Sequence, residues 1–176
     1  MQKTTARPLA IGLIVLGALI RVTQALNFAP VGALSLFAGA RLRGWRAYLL
    51  PLALMAITDP IVGGYSFATP FVYGSFLIMV WIGSKLRHTE NPLWIGAGAL
   101  AGSVQFFLIT NFAAWLQMPR IYARSVAGLM HCYAMGIPFY GRTLASDLFY
   151  AGVLFGLHAW LSRTVVRSER VVVQTA

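Results

Sequence analysis

The stretch from Leu93 to Leu116, LWIGAGALAGSVQFFLITNFAAWL, is 24 residues long and contains no Asp, Glu, Lys or Arg. A helix that crosses a lipid bilayer needs about 20 consecutive and mainly apolar residues. This segment therefore has the length and the composition of a transmembrane helix. Similar leucine-, alanine- and glycine-rich runs recur along the chain. We expect an integral membrane protein rather than a soluble domain with one anchor.

The composition of the whole chain points the same way. Of its 176 residues, 59% are apolar and 10% are charged, and the mean hydropathy is +0.72. A soluble domain carries about 25% charged residues. Fourteen Lys and Arg stand against four acidic residues, which gives a net charge of +10. The single cysteine, Cys132, excludes an internal disulfide and any metal site built from cysteines alone.

We predict an all-α fold, a single domain over residues 1–176 that forms an integral membrane bundle of six transmembrane helices. The predicted spans are Pro8 to Leu26, Phe28 to Ala40, Trp45 to Val62, Pro70 to Leu86, Leu93 to Leu116 and Leu144 to Leu161. The apolar segment from Val126 to Ile137 is too short to span a bilayer. It is predicted to form a short interfacial or re-entrant helix between the fifth and sixth spans. Residues 1–7 and 163–176 are predicted to be short basic cytoplasmic tails.

The positions of the basic residues predict the orientation of the chain. Cytoplasmic loops carry an excess of Lys and Arg, and ten of the fourteen fall on one side of the predicted topology if both termini are cytoplasmic. The outer side then holds Arg21, Arg120, Arg124 and Arg142. The net charge therefore serves as a topology marker and requires no nucleic-acid partner. We expect a multi-pass protein of the bacterial cytoplasmic (inner) membrane.

Most of the polar and aromatic residues within the predicted spans fall in their outer halves. A polar side chain in hydrocarbon needs a partner, a cavity or an interface, so this asymmetry predicts a ligand pocket open to the outside. The candidate substrate-binding residues are Asn27, Asp59, Tyr65, Asn111, Trp115, Tyr133 and Asp147.

Each of these residues also has a structural interpretation. Asp147 in the first turn of the sixth span would be stabilised by the helix dipole, with Arg142 as an ion-pair partner. Asp59 before Pro60 suits the end of a helix. Asn27 and Asn111 can hydrogen-bond neighbouring helices, and Trp and Tyr are common at membrane interfaces.

The adjacent His131 and Cys132 are the most reactive pair in the chain. Neighbouring residues on a helix point in different directions and chelate a metal poorly. One interpretation is a buried cysteine beside a hydrogen-bonded histidine. The other is a single thiolate or imidazole ligand offered to a metal that an organic cofactor already holds.

Two small-residue motifs, Gly98-x-x-x-Gly102 and Gly152-x-x-x-Gly156, allow close approach of helices. They indicate packing within the bundle or, alternatively, docking of a partner subunit. The chain has no phosphate-binding Gly-x-x-x-x-Gly-Lys-Ser/Thr loop and no His-Glu-x-x-His zinc motif. We therefore expect no enzyme activity and no intrinsic cofactor.

Five segments resemble a family of uncharacterised bacterial proteins related to the S components of energy-coupling factor (ECF) vitamin transporters. They are Leu26 to Gly39 (LNFAPVGALSLFAG), Thr58-Asp-Pro, Thr110-Asn-Phe, Cys132-Tyr and Thr143 to Asp147 (TLASD). S components are six-span proteins that bind a micronutrient from outside and work with a transmembrane coupling subunit and ATPases. Some solitary members bind cobalamin and ligate its cobalt with a cysteine. The resemblance implies uptake of a vitamin or a related cofactor, with Cys132 or His131 as a ligand of a cofactor-borne metal.

Together these features predict a membrane protein that captures a small micronutrient, a vitamin or cofactor precursor such as cobalamin, on the outer half of the bundle. The lipid bilayer and the small molecule are the expected partners, with a coupling subunit and ATPases where the resemblance extends to energy supply. The alternative is a structural or assembly subunit of a larger membrane complex. A membrane enzyme using Cys132 or His131 is a third interpretation, which lacks a visible group to orient a catalytic base.

Overall fold

The computed structural model describes residues 6–23 and 29–175, and all of their regular secondary structure is α-helical. The helices are α1 (Ala6–Thr23), α2 (Val31–Arg41), α3 (Arg46–Val62), α4 (Thr69–Lys85), α5 (Pro92–Gln117) and α6 (Val126–Thr175). Helices α3, α4 and α5 begin and end within one residue of the predicted spans. The prediction of an all-α fold is confirmed for the described residues.

Helix α2 forms the centre of the molecule. Its residues from Val31 to Ala40 are all buried, and α2 contacts each of the other five helices. A helix with apolar and small residues on every side is suited to such complete enclosure. With 11 residues, α2 is about 16 Å long, roughly half the thickness of a bilayer core.

Glycines bring α2 and α4 into close contact. A methyl group built on Gly83 would lie 2.8 Å from the carbonyl carbon of Leu36, and one built on Gly39 would lie 2.8 Å from that of Val80. Carbon atoms in contact are normally about 3.5–4.0 Å apart. Both glycines are therefore required where the two helices cross.

The short connections between α3, α4, α5 and α6 make these helices run antiparallel in turn, and one end of the bundle collects the basic side chains. At this end Arg87 Nε donates to the carbonyl of Gly39 at 3.2 Å, and Arg163 pairs with Glu90 at 3.5 Å. We call this end, which carries Arg41, Arg43, Arg46, Lys85, Arg87 and Arg163, the basic end.

Four tryptophans lie at the basic end, and each is more than half exposed: Trp45, Trp81, Trp94 and Trp160. Two of them have a cation above the ring, with Arg46 at 5.8 Å from the Trp45 centroid and Lys85 at 5.0 Å from that of Trp81. Two helical segments, α5 and Val126–Thr164 of α6, are long and apolar enough to cross a bilayer. These two segments indicate association with a membrane.

The predicted break between an interfacial helix and a sixth span is wrong. Helix α6 is continuous from Val126 to Thr175 and passes through Pro138. A proline in a helix removes a backbone donor and normally favours a kink or an end. Here the helix continues because α5 packs along it on both sides of Pro138, through Phe107 to Tyr133 at 5.8 Å and to Tyr140 at 4.9 Å.

The two glycine motifs differ in their surroundings. Methyl groups built on Gly98 and Gly102 would lie 2.7 Å from Leu86 Cδ1 and 3.1 Å from Met79 Cγ, so the first motif packs within the bundle. Methyl groups built on Gly152 and Gly156 would meet no atom within 4 Å. The second motif is therefore not used for packing by the described residues.

Candidate functional site

A groove with aromatic walls lies between α5 and α6 in the half of the bundle away from the basic end. Its volume is about 200 Å³. We call it the aromatic groove, and it is lined by Phe106, Phe107, Thr110, Asn111, Gly136, Phe139, Tyr140 and Thr143. Among these residues none carries a formal charge, so the groove offers rings, hydroxyls and one amide.

Asn111 is the predicted site residue that lines this groove. Its Nδ2 donates to the carbonyl of Phe107 at 2.9 Å. Its side-chain oxygen is directed towards Gly136, where an added methyl group would lie 2.9 Å from Asn111 Cγ and from Phe107 Cε2. Gly136 therefore allows α6 to approach the amide closely.

The aromatic side chains are fixed by contacts between the two helices. The ring of Phe107 lies 4.9 Å from that of Tyr140. Next to the groove, Tyr133 donates its hydroxyl to the carbonyl of Leu108 at 3.1 Å. Phe139 is 58% exposed and forms the open edge. Such walls suit the face of a flat ring, since aromatic rings prefer offset or edge contacts.

Trp115 lies outside the groove and closes the connection between α5 and α6. Its indole N–H donates to the carbonyl of Ala123 at 2.9 Å, and the guanidinium of Arg124 lies 5.1 Å from its ring centroid. Arg124 also donates to the carbonyl of Leu116. These contacts give Trp115 a structural role at the start of α6.

Cys132 and His131 point in different directions, as expected for neighbours on a helix. Cys132 is 2% exposed, and its Sγ lies 3.4 Å from the carbonyl oxygen of Asn111. His131 is exposed and makes an edge contact with Tyr122 at 5.6 Å. No group of three His, Cys, Asp or Glu side chains that could hold a metal occurs in residues 6–23 and 29–175.

Asp59 belongs to a buried polar cluster that connects α1, α3 and α4. Arg21 Nη2 pairs with Asp59 Oδ1 at 2.6 Å, and the hydroxyl of Tyr73 donates to Oδ2 at 2.5 Å. Arg21 also donates to the hydroxyl of Thr58. Both carboxylate oxygens are thus engaged within the protein. Tyr65 follows α3, is exposed, and donates to the carbonyl of Ala56 at 2.7 Å.

Asp147 does not lie in the first turn of a helix, and this prediction is wrong because α6 begins about six turns earlier. Its carboxylate is buried against the start of α2, where a methyl group on Gly32 would lie 2.8 Å from its Cγ. It accepts a hydrogen bond from the Ala33 N–H near the start of α2. Arg142, the expected partner, is exposed and forms no ion pair with it within the described ranges.

Asp147 therefore acts as a cap on α2 from another helix. The first N–H groups of a helix have no partner within it, and the residue before α2, Pro30, supplies no side-chain hydrogen bond. A carboxylate is favoured at the positive end of the helix dipole. The neighbouring Ser146 donates to the carbonyl of Ala29 at 3.0 Å and holds the same junction.

The predicted single pocket is thus distributed over separate places. Asp59 lies in the α1–α3–α4 cluster, Asp147 at the start of α2, and Asn111 in the aromatic groove. Asn27 lies outside the described residues. Gly136 and Tyr140 line the groove but are not among the predicted site residues. Gly136 and Tyr140 follow Tyr133 by three and seven residues, a spacing that places all three on one face of a helix. The predicted helix ended at Ile137, so Tyr140 was not assigned to the same helix as Tyr133.

Comparison with known proteins assigns the family. No curated protein and no solved structure matches the chain. Residues 2–170, nearly the whole chain, match the family described as "Family of unknown function (DUF6580)", and the protein is therefore a member of this family.

Proposed function

We propose that this protein is a six-span protein of the bacterial cytoplasmic membrane that binds a small, uncharged micronutrient in the aromatic groove. The observation that carries the proposal is the groove itself. It combines stacking surfaces such as Phe107 and Tyr140 with the amide of Asn111 and two threonine hydroxyls. Ligand sites are mainly apolar cavities with a few polar groups that fix orientation.

The exterior of the bundle supports a membrane location. Trp side chains are enriched at the boundary between the bilayer and water, and Lys and Arg on the cytoplasmic side. Here the four exposed tryptophans and the basic residues share one end. In this proposal the basic end faces the cytoplasm and the aromatic groove lies in the outer half of the bilayer.

The size and polarity of the groove support a particular class of ligand. Its volume of about 200 Å³ is below the range of about 300–1,000 Å³ that is usual for drug-sized ligands. A flat ligand of one or two rings with a hydrogen-bonding edge fits it better than a corrinoid. Energy for uptake would come from a coupling subunit with ATPases, as the resemblance to S components implies.

The test is mass spectrometry of small molecules that co-purify with the protein from its native membrane. The wild-type protein should carry one enriched compound with an aromatic or conjugated ring. Asn111→Leu and Phe139→Ala should each lose it. Phe149→Ala is the matched control, because Phe149 lies on the same helix with 57% exposure and does not line the groove.

The alternative function, an assembly subunit of a larger membrane complex, is favoured by the unfilled space beside Gly152 and Gly156. It predicts no enriched compound and co-purification with one large complex. If the compound is retained equally by Asn111→Leu, Phe139→Ala and Phe149→Ala, the aromatic groove is not its site.

A further inference from the structure

A second cavity, of about 270 Å³, lies between α5 and α6 near the basic end. We call it the glycine groove. Its walls are apolar, with two charged residues at one end. It is lined by Arg41, Glu90, Pro92, Ile95, Gly96, Leu148, Ala151, Gly152, Phe155, Gly156 and Ala159.

The glycine groove is open because its walls lack side chains where other residues would fill it. Methyl groups built on Gly96, Gly152 and Gly156 would each meet no atom within 4 Å. The first glycine motif, Gly98 and Gly102, is by contrast filled by Leu86 and Met79. The two helices thus leave open space beside Gly96, Gly152 and Gly156 but not beside Gly98 and Gly102.

Arg41 supplies an unsatisfied donor at the charged end of the groove. Its guanidinium lies over the ring of Phe155, 5.0 Å from the centroid, and Nη2 reaches the carbonyl of Thr89 at a long 3.4 Å. Its Nε is buried and has no hydrogen-bond partner among the described residues. A buried donor without an acceptor is costly, and a guanidinium matches a phosphate or carboxylate in geometry.

The balance of charge around Arg41 favours an anion. The acid that lines the groove, Glu90, pairs with Arg163 at 3.5 Å. Arg87 adds a third guanidinium at the same end, where it donates to Gly39. Three guanidinium groups and one carboxylate thus lie at this end of the bundle. The exposed Trp94 and Trp160 lie at the same end, and tryptophan is enriched at the depth of lipid headgroups.

We propose that the glycine groove binds one anionic phospholipid of the cytoplasmic leaflet, with an acyl chain along the glycines and the phosphate at the guanidinium of Arg41. This inference uses the membrane orientation of the proposed function and concerns a different site from the aromatic groove. Clusters of basic residues at the cytoplasmic surface attract anionic lipids. The apolar walls provide a contact surface for an acyl chain, which a free phosphate ion does not have.

The test is native mass spectrometry of the detergent-purified protein incubated with phosphatidylglycerol or phosphatidylethanolamine. Wild-type protein should retain phosphatidylglycerol about fivefold better, because its net negative charge is attracted to Arg41, whereas the ammonium group of phosphatidylethanolamine offsets the charge of its phosphate. Arg41→Gln should remove this preference, whereas Arg43→Gln should keep it. Arg43 makes the same change of charge two residues away, is exposed and does not line the groove.

A second pair of variants tests the acyl-chain position. Gly152→Leu should reduce retention of both lipids, because its side chain would fill the groove without a clash at Cβ. Gly74→Leu in α4, equally free at Cβ, should retain them. Equal losses in Arg41→Gln and Arg43→Gln, or unchanged retention in Gly152→Leu, would overturn the proposal. A wild-type dimer that Gly152→Leu dissociates would also overturn it, since the groove would then be an interface between copies.

Discussion

The crossing of α2 and α4 provides the sharpest test of the fold, through the substitution Gly83→Ala. The added methyl carbon would lie 2.8 Å from the carbonyl carbon of Leu36, which belongs to the backbone of a fully buried helix. Normal contact begins near 3.5 Å, so the two helices must separate by at least about 0.7 Å. The atoms in the way belong to the helix backbone, so they cannot rotate out of the contact as the end of a flexible side chain can.

The cost of this separation can be estimated from dispersion. A buried side chain makes about 40–60 atomic contacts of about 0.1–0.2 kcal/mol each, and a gap of about 0.5–1 Å forfeits at least a quarter of their energy. One side chain the size of Met79, which is fully buried in the α2–α4 core, would thus lose about 1–3 kcal/mol. Overpacking in protein cores costs a similar amount.

Gly74→Ala is the matched control in the same helix, because its methyl group would meet no atom within 4 Å. Both substitutions gain about 0.5–1 kcal/mol of helix propensity, so the difference between them isolates the cost of separation. We expect thermal unfolding in one detergent to place Gly83→Ala roughly 2–12 °C below Gly74→Ala. Equal midpoints for the two variants would refute the close crossing of α2 and α4.

Three further predictions concern the buried polar residues. Asp147→Ala should lower the free energy of unfolding by about 1–3 kcal/mol, because the Ala33 N–H at the start of α2 loses its acceptor. Asp147→Asn should cost less, and equal losses would contradict the capping role. Asp59→Ala should lower the free energy of unfolding by about 3–5 kcal/mol, since it leaves Arg21 buried without its ion-pair partner. A double-mutant cycle with Arg21→Met should show strong coupling between the two residues. Additive losses in this cycle would argue against the ion pair. Cys132, the single cysteine and 2% exposed, should react with a maleimide only after unfolding, and rapid reaction of the folded protein would place the thiol at the surface.

The ends of helices could be predicted where an apolar segment is bounded by residues that cap or start a helix. Asn91 and Pro92 begin α5, with Asn91 accepting from the Leu93 N–H at 2.9 Å, and such capping residues are visible in a sequence. The continuation of α6 through Pro138 was not predictable in this way. It depends on contacts with α5, in particular the close approach at Gly136, which local sequence rules do not contain.

The candidate site was predicted only in part because partners are set by tertiary structure. The sequence marked Asp59 and Asp147 as polar residues needing partners, but it could not show that Tyr73 and the start of α2 supply them. Asn111 was identified from its position near the end of an apolar helix. The aromatic residues around it, such as Phe107 and Tyr140, are indistinguishable in sequence from membrane-facing rings.

The central position of α2 has a consequence for the order in which the protein can be made. The Ala33 amide in its first turn donates to Asp147, a residue that is synthesised more than a hundred residues later. Until then this amide has no acceptor from Asp147, and unsatisfied backbone groups are not tolerated in hydrocarbon. In the membrane location proposed above, the start of α2 would therefore stay near water until α6 has been made. A product truncated before Asp147 would lack this acceptor.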